Sequence, residues 1–225
     1  MASHSLNRQV MGLAMVWDEG MLEPDFYSEA VAVERSPPNL VFTKPFIKRA
    51  TPKMLNRFSK RFNSVAGFFP EVRGEIKVGM TTSYKGLAAT ETKGQLMSEK
   101  LCFPPLRRMG LPTRYVIGHE LMHIVQAKLK SLPETERSCD VFTLARLPSS
   151  FIDRPPAYLR IPREVRENWR REGSDPDPAC IAHELAIEAV ITREKNPRYI
   201  QWWESEFSAR TEALCRKNQF KRLDY

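Results

Sequence analysis

The chain has 225 residues (26.0 kDa), and 42% of them are hydrophobic and 10% aromatic. This composition excludes an intrinsically disordered chain, and the length allows a core that needs neither disulfides nor a metal for its stability. The 35 Lys and Arg residues outnumber the 27 Asp and Glu residues, and the net charge of +8 permits binding to nucleic acid without requiring it.

Targeting and membrane segments are not recognisable in the sequence. No apolar run approaches the ~18 residues of a membrane span, and residues 1–18 lack the continuous apolar stretch of a secretory signal. The four cysteines are widely spaced and form neither a C-x-x-C knuckle nor a disulfide framework. We therefore expect a cytoplasmic protein that does not insert into a membrane. The sequence makes no prediction about its oligomeric state.

The predicted elements divide the chain into a strand-containing part and a helical part. Apolar residues at helical spacing predict an amphipathic helix over 53–66 whose basic residues face solvent. Short runs then predict three strands, at 75–79, 84–90 and 100–103. From Leu111 onward the pattern predicts five helices. They cover 113–130, 132–147, 162–172, 178–194 and 197–217.

This order of elements predicts an α+β fold, with a small N-terminal mixed sheet followed by a mainly helical half. We find no internal repeat and no Gly/Ser linker that would divide the chain. Residues 1–225 are therefore predicted to form a single domain, in which residues 1–38 are a candidate peripheral extension.

The predicted helix over 113–130 contains a His-Glu-x-x-His pattern, formed by His119, Glu120 and His123. Because residues four apart share a helix face, both imidazoles can direct a nitrogen to one metal ion about 2 Å from each. Glu120 lies beside them, where its carboxylate can reach water on that ion as the general base of a peptidase. The alternative is a helix that carries two histidines by chance, one of them buried and hydrogen-bonded. A buried histidine pair beside a carboxylate is costly unless a cation compensates, and we expect one Zn²⁺ per chain.

Catalytic zinc takes three protein ligands and leaves one position for water, so a third ligand is needed. Glu136 in the next predicted helix is the first choice, and Asp140, one turn on, can accept the free N–H of a ligand imidazole. Ser131 and Glu134 fit a capping box at the start of this helix. Three alternatives stay open: Asp140 binds the metal, His183 binds it, or Glu136 and Asp140 belong to a solvated helix face.

The pattern His119-Glu-x-x-His123 followed by Glu136-x-x-x-Asp140 resembles that of the gluzincin metallopeptidases. The short chain is similar to their compact single-domain members, the minigluzincins. The resemblance implies a zincin-like fold, in which an edge strand of the small sheet holds an extended peptide. It also implies that His119, His123 and Glu136 bind zinc. Glu120 would then activate water, and Asp140 would orient a histidine. The match covers only these two motifs, and the gap between them is shorter than in the larger members.

The expected reaction is hydrolysis of a peptide bond in a peptide or protein substrate, with Glu120 taking the proton of the attacking water. The oxyanion of the tetrahedral intermediate needs a further hydrogen-bond donor. Three downstream residues are candidates for this donor: Tyr158, His183 and Arg146. The edge strand that holds the substrate backbone is predicted at Glu75–Val78 or at Tyr84–Thr90.

Two other functions compete with the peptidase. Basic residues cluster in Lys44–Lys60 and in Arg160–Arg171, the second with Trp169, and basic patches that include aromatic residues bind nucleic acid. If these patches bind nucleic acid, the chain is a nucleic-acid-associated protein, or a metalloprotease that acts near DNA. Acidic residues within the second cluster favour a solvated helix face instead. The remaining alternative is a non-catalytic zinc-binding module, although closed structural sites commonly use several cysteines.

Overall fold

The computed structural model describes residues 38–81, 87–93, 96–106, 110–169 and 177–223. The extension predicted for residues 1–38 lies outside the described residues except for Pro38. The strands are β1 (Asn39–Phe42), β2 (Glu75–Met80), β3 (Leu87–Lys93) and β4 (Leu96–Phe103). The helices are α1 (Lys44–Lys48), α2 (Pro52–Ala66), α3 (Arg114–Lys128), α4 (Glu136–Arg146), α5 (Arg163–Glu167), α6 (Pro178–Thr192) and α7 (Tyr199–Leu223). The predicted α+β class is confirmed.

The four strands form one mixed sheet in the order β1-β2-β4-β3. Strands β1, β2 and β4 run parallel, with Leu40 opposite Ile76 and Ile76 opposite Glu99, whereas β3 runs antiparallel to β4. Because β2 lies between β1 and β4, it is not available for substrate, and the prediction of an edge strand at Glu75–Val78 is wrong. The other predicted range, Tyr84–Thr90, overlaps β3, which is an edge strand of this sheet.

Helix α2 covers one face of the sheet with aromatic side chains. Thr51 caps it by accepting a hydrogen bond from the backbone N–H of Met54, and a proline occupies its first turn. The Phe58 ring contacts the rings of Phe46 and Phe103, with centroids 5.9 and 5.4 Å apart. Because all three side chains are buried, they join α1, α2 and β4 in one core, as the amphipathic pattern predicts.

The four longer predicted helices are confirmed with shifted ends, but the helix predicted over 132–147 begins later than expected. Ser131 does not cap it. Instead Thr135 is the N-cap: its side chain accepts from the backbone N–H of Ser138, and the Ser138 hydroxyl accepts from the backbone N–H of Thr135, both at 3.1 Å. The Ser138 hydroxyl also donates to the carbonyl of Pro133, which keeps the preceding residues in a connecting loop. Glu136 is therefore the first residue of α4.

Helices α3 and α4 approach each other closely at Gly118. A Cβ at this position would lie 2.7 Å from Leu147 Cδ1 and 3.3 Å from Thr143 Cγ2, so a larger residue would have to displace the buried Leu147 side chain at the end of α4. The absence of a side chain at Gly118 thus brings the His-Glu-x-x-His segment, which begins at the next residue, against α4.

Two ion pairs connect the helical half to the strand-containing part of the chain. Arg146 at the end of α4 donates two hydrogen bonds to the Glu71 carboxylate, at 2.6 and 2.8 Å, and both side chains are largely buried. Lys128 at the end of α3 pairs with Glu99 of β4. None of the helices in the described part of the chain combines the length and the hydropathy needed to cross a membrane.

Candidate metal centre

Two oxygen-bearing side chains fix the start of α3. The Thr113 side chain accepts a hydrogen bond from the backbone N–H of Val116 (3.3 Å). The Asp153 carboxylate accepts from the backbone N–H groups of Arg114 (2.9 Å) and Tyr115 (3.2 Å). These bonds satisfy N–H groups that the first turn leaves unpaired, and the acid complements the helix dipole. The helix start is thereby tied to the loop that follows α4.

Three ligand-type atoms meet between α3 and α4. His119 Nε2 lies 3.2 Å from His123 Nε2 and 3.1 Å from Glu136 Oε2, and His123 Nε2 lies 3.3 Å from the same carboxylate oxygen. A tetrahedral zinc ion about 2.0 Å from each ligand atom spaces those atoms about 3.3 Å apart. The three side chains therefore have the mutual spacing that such an ion requires.

The charge at this triangle also favours a cation. Burial lowers the pKa of His119, but the combined effects of Asp140 and Cys139 outweigh burial and raise this pKa to about 12. The pKa of His123 is lowered, first by burial and then by the positive charge on His119. One proton on His119 Nε2 can bridge to only one neighbour, whereas a divalent cation attracts all three lone pairs at once. The residues present thus fit a zinc ion.

Asp140 holds the His119 ring in place. Its side chain is buried, and its Oδ1 lies 2.9 Å from His119 Nδ1 and accepts a 2.7 Å hydrogen bond from the Tyr115 hydroxyl. Its Oδ2 accepts from the backbone N–H of Tyr158 at 2.8 Å. Because the carboxylate only accepts, His119 must donate from Nδ1, which leaves Nε2 to face the triangle. In this geometry Asp140 therefore contacts the outer nitrogen of the His119 ring and does not lie at the point where the three ligand-type atoms meet.

Glu120 lines the cavity beside the triangle and has no hydrogen bond or ion pair with the described residues. The residue is 4% exposed. Burial raises the pKa of its carboxyl to about 7; the charge on His119 lowers it and that on Glu136 raises it. A buried acid without a protein partner is uncommon in a core, and an acid with a pKa near neutrality is suited to proton transfer.

Cys139 offers a different third ligand. Candidate ligand atoms of His119, His123 and Cys139 lie within 4.8 Å of one another, so these residues could also hold a metal ion. The Cys139 thiol, however, donates to the backbone carbonyl of His119 at 3.2 Å, and burial raises its pKa to about 11. Since metals bind the thiolate, a protonated and hydrogen-bonded thiol is a poor ligand, and we favour Glu136.

The candidate metal ligands border a cavity of about 510 Å³. Its walls include Phe103 at the end of β4, Leu111 and Val116 on the apolar side, and Tyr158 and Arg154 on the side of the loop after α4. The Tyr158 ring stacks on that of His119, with centroids 5.7 Å apart and an angle of 16°. Tyr158 is thus the predicted donor that the structure places in the cavity.

The other two candidate donors lie elsewhere. His183 is on α6, where its Nδ1 is 2.8 Å from the backbone carbonyl of Leu144, and it does not line the cavity. Arg146 is engaged by Glu71 and stacks over the Phe69 ring. Neither can contact a substrate carbonyl at the metal site without rearrangement.

Tyr115, whose hydroxyl donates a hydrogen bond to the Asp140 carboxylate, is not among the residues predicted from the sequence. Burial and the adjacent Asp140 charge raise its pKa well above the ordinary value, so the hydroxyl stays protonated and keeps this bond. The only signal in the sequence was its spacing: Tyr115 precedes His119 by one helical turn and so shares its face.

We expect Asp140→Asn to weaken zinc binding about 10- to 100-fold, because the amide no longer fixes His119 with Nδ1 as donor. The measurement is competition of the purified protein with a chromophoric zinc chelator. Tyr115→Phe is the matched control: it removes one hydrogen bond to the same carboxylate and keeps the ring. It should have a smaller effect. Equal zinc affinity in Asp140→Asn and the unaltered protein would contradict the orienting role.

Comparisons with known proteins do not indicate a function for this chain. No protein-family model matches this chain, and searches of curated proteins and of solved structures find no significant match.

Proposed function

We propose that this chain is a zinc-dependent metallopeptidase of gluzincin type with a zincin-like fold. The observation that carries the proposal is the convergence of His119, His123 and Glu136 on one point, with the unpaired carboxylate of Glu120 beside it. A structural zinc site is normally closed by four protein ligands. Here three ligands border an open cavity, which favours catalysis over a non-catalytic zinc module.

The arrangement of the sheet supports a peptide as substrate. Strand β3 is an antiparallel edge of the sheet and contacts α3, the helix that carries the histidines. Unpaired backbone groups of an edge strand can bind an extended peptide by adding it as a further strand. A peptide held along β3 would pass close to the cavity beside α3.

The chain supplies the groups for a hydrolytic reaction. His119, His123 and Glu136 would hold the zinc ion, which would supply a Lewis acid for activating water and polarising the scissile carbonyl. Glu120 accepts the proton of the attacking water and returns it to the leaving amine. Asp140 keeps His119 in the orientation that directs Nε2 to the metal, and Tyr158 on the cavity wall is our candidate donor to the oxyanion.

The test uses peptide hydrolysis with removal and return of the metal. The purified protein, loaded with one equivalent of zinc, is incubated with a peptide mixture, and cleavage products are identified by mass spectrometry. We expect cleavage that 1,10-phenanthroline abolishes and added zinc restores. Cleavage that persists without metal would contradict the proposal. Tight zinc binding without any cleavage would instead favour the non-catalytic zinc module.

A further inference from the structure

One segment holds most of the chain's excess positive charge. Between Pro38 and Pro70 the sequence contains seven Lys and Arg residues and no Asp or Glu. The segment forms β1, α1 and α2. The charge is therefore concentrated on one part of the fold instead of being spread over the surface.

Helix α2 carries three of these cations in a single stripe. Lys53, Arg57 and Lys60 are spaced by four and three residues, so they share one helix face, and all three are exposed. The opposite face of α2, with Phe58 and Phe62, is buried against the sheet. The outward side of α2 is thus polar and basic along its length.

Helix α1 and its C-cap residue, Arg49, add three further cations. Lys44, Lys48 and Arg49 are exposed and line a shallow hollow of about 220 Å³, together with Pro45 and Met80. No acidic residue lines this hollow. We refer to the exposed cations of both helices as the α1–α2 basic face: Lys44, Lys48, Arg49, Lys53, Arg57 and Lys60.

None of the six forms an ion pair with a described residue. Some cations elsewhere in the described part of the chain do form ion pairs: Arg163 pairs with Glu167 in α5, and Arg137 pairs with Glu204. The second basic cluster of the sequence also lacks its aromatic platform, because Trp169 is buried, donates to the Ile152 carbonyl and stacks on Phe207. Among the described residues of the two predicted clusters, the α1–α2 basic face has six exposed cations without an ion pair, whereas the second cluster has one such residue, Arg160.

We propose that the α1–α2 basic face binds the phosphate backbone of nucleic acid without regard to base sequence. A row of unneutralised cations can replace the counterions condensed on phosphates, which supplies the free energy of such binding. Membrane insertion requires a free apolar helix face, and that of α2 is buried in the core. A protein interface has an apolar centre, and among these helices only Ile47 is a large exposed apolar residue.

This inference goes beyond the proposed peptidase and does not rest on it. The test measures fluorescence anisotropy of labelled single- and double-stranded oligonucleotides of mixed sequence. Each is about 20 nucleotides long, which exceeds the ~16 nucleotides that a single OB-fold domain occupies at most. We expect binding that survives chelation and weakens as salt rises from about 50 to 200 mM. The triple substitution Lys53→Gln, Arg57→Gln, Lys60→Gln should weaken binding about tenfold or more and reduce the log–log salt slope by about 2 to 3.

The matched control removes the same charge from another surface. Lys195, Arg198 and Arg210 are exposed near α6 and α7, and changing all three to Gln should leave the salt slope unchanged. Equal losses in both triple variants would show that net charge alone is responsible and would overturn the proposal. Binding to vesicles of phosphatidylserine and phosphatidylcholine, without binding to either oligonucleotide, would overturn it in favour of a membrane surface. Thermal unfolding of each variant verifies that the fold is retained.

Discussion

Replacing Glu120 by Gln is expected to lower kcat for peptide hydrolysis by about 10²- to 10⁴-fold, the usual contribution of a general base. Gln has nearly the same shape and cannot accept the proton of the attacking water. The side chain is buried at the cavity wall and has no hydrogen bond or ion pair with the described residues. The substitution should therefore leave the fold and the zinc content unchanged.

The measurement combines kcat on a cleaved peptide, elemental analysis for zinc and a thermal melt of the same preparation. The Glu120→Gln protein also serves as the control for contaminating peptidases, since these would be equally active in both preparations. Retained zinc with lost activity identifies Glu120 as the base. Full activity with retained zinc would remove Glu120 from the mechanism.

Replacing Glu136 by Gln is expected to weaken zinc binding by more than about 100-fold, beyond the loss that follows removal of an orienting partner. The carboxylate oxygen lies 3.1 and 3.3 Å from the two histidine nitrogens, and a neutral amide supplies a weaker ligand without charge. Activity at limiting zinc should fall with the affinity. Competition with a chelator of known affinity measures the change directly.

Two variants make this prediction specific. Glu134→Gln removes the same charge from the same cavity wall and should leave zinc affinity nearly unchanged. Cys139→Ser keeps a donor to the His119 carbonyl and removes the sulfur, so it should also bind zinc normally. If Cys139→Ser loses zinc while Glu136→Gln retains it, the thiol is the third ligand and our choice of Glu136 is wrong.

The sequence predicts those features that depend on local spacing. The period of apolar residues located α2, α3, α6 and α7, and the α+β class followed from their order. Within each motif the key residues lie one helical turn apart on a single helix, so residues such as His119 and His123 necessarily share a face. The structure brings these motifs together by packing α3 on α4.

The features that escaped prediction depend on which distant residue becomes a neighbour. Whether β2 lies inside the sheet depends on β1, a four-residue strand with too little pattern to predict. The sequence does not reveal that Arg146 pairs with Glu71, and this ion pair keeps Arg146 from serving as the donor to the oxyanion. The start of α4 depends on which residue caps the helix. Thr135 is the cap because the side chains of Thr135 and Ser138 each accept a hydrogen bond from the other residue's backbone N–H. Such choices are made by tertiary contacts.

X-ray absorption at the zinc edge, on the purified full chain with one equivalent of metal, examines the ligand triangle most directly. We predict only nitrogen and oxygen neighbours at about 2.0 to 2.2 Å, from His119, His123, Glu136 and a non-protein oxygen. A sulfur neighbour at about 2.3 Å, which only a cysteine such as Cys139 would supply, would contradict it. So would a failure of the chain to retain zinc at all.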